Sequence, residues 1–125
     1  MIDRIQRKRT KGFRSPNRTI YCGRGSVFGN PYIITAMPGR KGVTKDRYVV
    51  ENKFTGYQSV PYRRKAAYEF AAYMFKNITY ITNEKLKIAI AQLKQDVAEG
   101  KVLHLSCFCD LDMPCHVDFI LELVK

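Results

Sequence analysis

The sequence predicts a small single-domain α/β protein, a Rossmann-like two- or three-layer sandwich with an inserted β-hairpin. Three observations carry this. The C-terminal third reads as helix, strand, loop, helix, which is the α/β pattern. A short β-rich run, Thr19–Cys22, breaks at once into a glycine turn, as a strand feeding a ligand loop does. At 125 residues the chain is of single-domain size, large enough to bury one ordinary core.

Taken in order, residues 1–8 read as a basic N-terminal tail and residues 9–125 as the domain. Gly23-Arg24-Gly25-Ser26 follows the first strand, and Gly29-Asn30-Pro31 makes a second turn. The residue before a proline is pushed out of helical geometry, so Asn30 is expected to be extended. Met37–Gly42 reads as another turn. Ile33–Ile34 and Tyr48–Val50 can pair as a hairpin inside an insertion spanning 34–60. A helix is expected from about Tyr62 to Lys76, with Ala66, Ala67, Phe70 and Met74 on one face. The next helix has the clearest signals. Thr82 or Asn83 can cap it, Leu86, Ile90, Leu93 and Val97 form its stripe, and Gly100 stands where a left-handed terminator belongs. Lys101–Leu105 reads as a strand buried on both faces, and a last helix is expected from about Pro114.

Composition narrows the function. The net charge is +11, and the first 65 residues hold 16 of the 22 Lys/Arg but only 3 of the 11 Asp/Glu. Such a balance favours polyanionic partners, either a nucleotide or a nucleic acid. No apolar run approaches the roughly 18 residues of a membrane span, and the N-terminus lacks a signal peptide's apolar core. A cytoplasmic protein with reduced thiols is therefore expected.

One stretch concentrates the chemistry. Leu103–Asp118 holds three of the four cysteines, both histidines and three carboxylates, where a buried strand gives way to a helix. In open α/β sheets ligands bind at that junction. Cys107, Cys109, Cys115 and His116 are a possible tetrahedral zinc set. Their C-x-C and C-H spacing departs from the usual knuckles, and adjacent helical side chains point about 100° apart. No cofactor is favoured on this ground, with zinc as the alternative. A second reading makes Cys115 a thiol activated at a helix start, with His116 as base and Asp118 beside it. In the third reading Cys107 and Cys109 are core residues ending a strand, and His104 is a core histidine.

The glycine loop is the second candidate. Closely spaced glycines can present N–H groups to an anion, Arg24 can fork onto phosphate, and Ser26 can donate. If Thr19–Cys22 and Val102–Leu105 are parallel neighbours, this loop and the start of the last helix face one crevice. A nucleotide-type ligand would then meet Arg9, Lys11, Arg24, Gly25, Ser26, Gly29, Asn30, Arg63, Cys115, His116 and Asp118.

Arg9-Thr-Lys-Gly-Phe13, Tyr21-Cys-Gly-Arg-Gly-Ser-Val-Phe-Gly-Asn-Pro-Tyr32, Arg63 with Phe70, and Cys107-Phe-Cys109 with Cys115-His-Val-Asp118 occur in that order. In this the chain resembles an uncharacterised domain family of phages and bacteria marked by "GRGS-x-x-GNP" and "C-x-C … C-H-x-D". The resemblance spans Arg9 to the C-terminus. It implies single-domain α/β architecture, a shared site and a phage source, and no settled activity. The chain departs from the family in the Ile34–Val60 insertion, and it has Phe13 and Phe28 where tryptophan is usual.

Overall fold

The computed structural model describes residues 2–37 and 47–125. The described residues form two three-stranded sheets. The first is parallel, ordered β1 (Asp3–Gln6), β6 (His104–Cys107), β2 (Thr19–Tyr21), so the last strand to be made lies in the middle. The second is antiparallel, ordered β3 (Tyr32–Ala36), β4 (Tyr48–Asn52), β5 (Tyr57–Gln58). The helices are α1 (Arg64–Met74), which continues through a π-helical segment Phe75–Thr79 into the short α2 (Tyr80–Thr82), then α3 (Glu84–Ala98) and α4 (His116–Val124).

The parallel neighbours expected from sequence are present: Thr19 pairs with His104 and Ile20 with Leu105. The other edge differs from the expectation. Asp3–Gln6, read as part of a basic tail, pairs with His104–Cys107 as β1. Its basic residues mask the signal, but Ile2 is buried in the main core and anchors the strand. All three strands run the same way, so their C-terminal ends, near Arg7, Cys22 and Cys107, share one edge. Cys22 N–H donates to the Ser106 carbonyl (2.7 Å) and Arg7 N–H to the Cys107 carbonyl (2.8 Å), extending the pairing to that edge.

The main core joins Leu105 and Cys107 of β6 to Leu86, Ile90 and Leu93 of α3 and to Val117, Ile120 and Val124 of α4. Asn83 caps α3, its side-chain oxygen accepting from the Leu86 N–H at 3.1 Å. Gly100 takes the left-handed φ of +74° that ends the helix region. The strand after it begins later than expected, at His104. His104 is half-buried and pairs with Asp3 across the β1–β6 edge.

The hairpin is also as read, with Ile33 opposite Glu51 and Ile34 opposite Val50. It does more than project from the domain. β5 widens it, and α1 packs on it through a separate small core of Tyr32, Val50, Ala67 and Ala71. The buried face of α1 is thus Ala67, Phe70, Ala71 and Met74, while Ala66 is exposed. The helix passes Lys76 because the chain turns extended only at Asn83 (φ −110°, ψ 100°). Apart from Met37, the turn expected over Met37–Gly42 lies outside the described residues, as does part of the 34–60 insertion. No helix among the described residues is long and apolar enough to cross a membrane.

Two substitutions check this architecture. Asn83→Ala should lower stability by about 1 kcal/mol through loss of the cap. Leu105→Ala, at a site with no exposed surface, should cost about 2–5 kcal/mol. Urea unfolding followed by circular dichroism measures both.

Candidate functional site

The shared C-terminal edge of the parallel sheet opens into a cleft of about 360 Å³. Its floor is Cys107, Cys109, Cys115 and His116. Tyr21, Gly23 and Arg24 form one side, and Tyr32–Ile34 with Tyr68, Ala71 and Ala72 form the other. The glycine loop and the start of the last helix therefore do face one crevice. The inserted sheet and α1 supply the opposite wall, which sequence reading left without a purpose.

Cys107 is the last residue of β6 and is 2% exposed, while Cys115 is the N-cap of α4 and is 4% exposed. Their sulfurs lie 3.2 Å apart. Cys109 joins them, so that three Sγ atoms lie within 4.8 Å of one another and could hold a metal ion. The seven residues between Cys107 and Cys115 fold back as a loop, which is why spacing alone gave no familiar knuckle. The angular objection to Cys115 and His116 also falls. Cys115 is extended (φ −143°, ψ 151°) and precedes the helix, so its side chain is not on the helical wheel. His116 Nδ1 sits 3.5 Å from Cys115 Sγ.

His116 is the hinge of the site. Its Nε2 lies 2.7 Å from the Cys22 carbonyl oxygen, a contact in which the ring N–H donates. A neutral imidazole with its proton there leaves Nδ1 as a lone-pair donor facing Cys115. Metal-ligating histidines use this arrangement, with the outer ring N–H held by a carbonyl. Burial lowers the His116 pKa, with the backbone of Cys22 and Phe28 and the thiol of Cys107 acting the other way. Phe75 packs against the ring at 4.9 Å between centroids.

The thiols share negative charge unequally. Cys107 receives hydrogen bonds from Cys109 and Cys115, which lower its pKa to about 3. The same bond to Cys107 raises Cys109 to about 11 and pushes Cys115 upward. The first proton lost thus belongs to the cluster as a whole, with the anion centred on Cys107. Cys22 stands apart as a buried core thiol raised to about 12 by desolvation.

Other sequence candidates divide sharply. Arg9 and Arg24 line the cleft, and the Arg9 guanidinium also lies 4.5 Å over the Phe108 ring. Asn30 lines it too, but its side chain is committed. Nδ2 donates to the Ala71 carbonyl (3.0 Å) and Oδ1 accepts from the Tyr32 N–H (2.9 Å), so Asn30 pins the loop to the far wall. Ser26 Oγ donates within its own turn to the Gly23 carbonyl at 2.7 Å. Gly25 needs its left-handed φ of +92°. At Gly29 a Cβ would lie 2.7 Å from the Gly23 carbonyl oxygen. These residues shape the loop. Among the described residues, Lys11, Gly25, Ser26, Gly29, Arg63 and Asp118 do not line the cleft. Arg63 precedes α1 as its N-cap. Asp118 accepts from the Cys115 N–H at 3.1 Å, the carboxylate half of a capping box.

The chain matches the family described as Domain of unknown function (DUF4326) over residues 5–125. It belongs to that family. The match covers the glycine loop, the cysteine cluster and the inserted sheet together, and it brings no activity with it. No curated protein and no solved structure matches the chain.

Sequence reading passed over three contributors to the site of this DUF4326 member. Tyr68 comes from α1, Phe108 separates the paired cysteines, and Arg4 lies under the loop that joins them. The C-x-C spacing draws attention to Phe108. Tyr68 and Arg4 carry no local signal.

The buried imidazole gives a pH test. Its folded pKa lies below the ordinary imidazole value of 6.5, so the unfolded chain binds the proton first as pH falls. The His116 contribution is complete above that value and declines below it, by at most about 1.4 kcal/mol per pH unit for one proton. It adds to the rise of stability with pH that the lowered Cys107 pKa supplies up to the ordinary thiol range. Urea midpoints of the metal-free chain between pH 7.5 and 5 should show this loss. His116→Gln should be less stable throughout and should show a flatter profile.

Proposed function

We propose that this protein is a zinc–thiolate domain that captures a nucleotide or nucleotide-derived phosphorylated ligand in the cleft above the metal, to sequester or process it. The observation that carries the reading is the cluster of three thiol sulfurs within 4.8 Å of one another, with His116 Nδ1 beside Cys115 Sγ at 3.5 Å. Three thiolates and one imidazole are a soft, tetrahedral donor set suited to zinc. Sulfurs about 2.3 Å from such an ion stand roughly 3.8 Å apart, a spacing this cluster reaches with small movements. Zinc would stabilise all three thiols as thiolates and fix the loop between Cys107 and Cys115. Where the His116 nitrogen fills the fourth position the centre is closed, and where it does not the position opens to the cleft.

The ligand reading rests on the charge of the walls. Arg9 and Arg24 line the cleft, and among the described residues no Asp or Glu does. Its field attracts anions, and its aromatic surfaces, Tyr21, Tyr32, Tyr68 and Phe108, suit a planar base. The volume fits a mononucleotide-sized molecule better than a polymer. A second reading draws on the exposed basic loop with Arg7, Lys8, Arg9, Lys11, Arg14 and Arg18, which could track the phosphates of a nucleic acid. A phage origin and a cytoplasmic working place belong to the proposal through the family resemblance and the free thiols.

Native mass spectrometry of the gently purified chain tests the metal. One zinc per chain is expected, lost on denaturation and absent from Cys107→Ser and Cys115→Ser. A wild-type chain that takes up no zinc on titration sinks the metal reading. Titration with a mononucleotide tests the cleft. Binding should weaken about tenfold in Arg24→Ala and depend only mildly on salt. A steep loss of affinity for oligonucleotides, about 10³–10⁵ between 50 and 200 mM salt, with no mononucleotide binding, would replace it by the nucleic-acid reading.

A further inference from the structure

Outside the cleft floor, one side chain holds the loop on which the whole cluster depends. Arg4 stands in β1 opposite Leu105, next to the strand that ends in Cys107. Its side chain is only 7% exposed. Nη2 donates to the carbonyl oxygens of Leu111 (2.7 Å), Met113 (3.0 Å) and Asp110 (3.2 Å), and Nη1 reaches Asp118 Oδ2 at 3.4 Å. These carbonyls belong to the segment between Cys109 and Cys115. Asp118 in turn binds the Cys115 N–H. Two residues along the same strand, Gln6 donates to Asp110 Oδ1 at 2.9 Å, while Arg64 pairs with the other oxygen of that carboxylate.

We propose that Arg4 is the positioning residue of the thiol centre, setting its metal affinity by clamping the 110–113 segment so that Cys109 and Cys115 close on Cys107. The inference rests on the zinc reading above and extends it to the residue that preorganises the site. Two physical effects act together. A loop whose carbonyls converge on one guanidinium has fewer conformations to lose when the metal binds. A buried cation also offsets the excess negative charge of three thiolates around a divalent ion. Arginine suits the role because its planar fork directs several donors at once, which a lysine ammonium does not reproduce.

The test compares full-length wild type, Arg4→Met, Arg4→Lys and Gln6→Leu. Zinc affinity is measured by competition with a chromophoric chelator. The cobalt-substituted visible spectrum and the circular dichroism melt are recorded alongside. Arg4→Met should weaken zinc binding about 10- to 100-fold, the usual effect of losing an outer-shell partner. It should keep the tetrahedral thiolate–cobalt spectrum at saturation, showing that the donors are unchanged. Arg4→Lys should recover only part of the loss, and Gln6→Leu should show a smaller loss of the same kind. If Arg4→Met does not fold, the lysine and Gln6 variants decide. Folded variants that bind zinc as tightly as wild type overturn the proposal and leave the metal reading standing. A wild type that binds no zinc removes both.

Discussion

The pairing of β6 between β1 and β2 is the constraint on which the rest depends. A strand made late in the chain inserts between two made early, and all three run parallel. Their C-terminal ends therefore open at one edge, where the segments that leave all three strands converge. Cys107 stands at the end of the central strand. The glycine loop leaves from β2, and α4 returns over the edge a few residues after β6. His116 ties these parts together, with one ring nitrogen on the Cys22 carbonyl just before the glycine loop and the other beside the Cys115 thiol. Moving β6 out of the centre would separate every group in the cleft.

The electrostatics follow from that arrangement. Sulfurs packed at 3.2 Å favour one shared anion, because two neighbours can donate to a third. The surrounding positive groups are on the walls, at Arg9 and Arg24, and beneath the loop, at Arg4. Carboxylates near the site are turned to structural work, Asp118 at the helix start and Asp110 between Gln6 and Arg64. The pocket thus keeps an anion-attracting rim over a soft, electron-rich floor. That combination is the ground of the proposed metal below and phosphorylated ligand above.

The insertion gains a function from this geometry. Its hairpin builds a second sheet, α1 seats on it, and Asn30 fastens the glycine loop to Ala71. Without that wall the thiol cluster would lie on an open edge. With it, the cleft has two faces of different character, one formed by arginine and aromatic groups and one by the tyrosines and small residues of β3 and α1.

Periodicity and local chemistry determined much of this protein by themselves. The stripe Leu86, Ile90, Leu93, the Asn83 cap, the Gly100 terminator and the pairing of the two hairpin strands are local facts, so they were legible in the chain. So was the presence of a site in Leu103–Asp118, because clustered cysteines and histidine at a strand–helix junction are a local density. Tertiary structure alone decided which residues belong to that site. Arg4 looked like one charge in a basic tail until β1 placed it under a loop more than a hundred residues away. Ser26, Asn30 and Asp118 looked free to meet a ligand until the fold gave their polar atoms to the backbone. Cys115 and His116 looked divergent until the N-cap took Cys115 off the helical wheel. In each case a side chain's role was set by which distant backbone groups remained unpaired, and that depends on strand order, which no local pattern encodes.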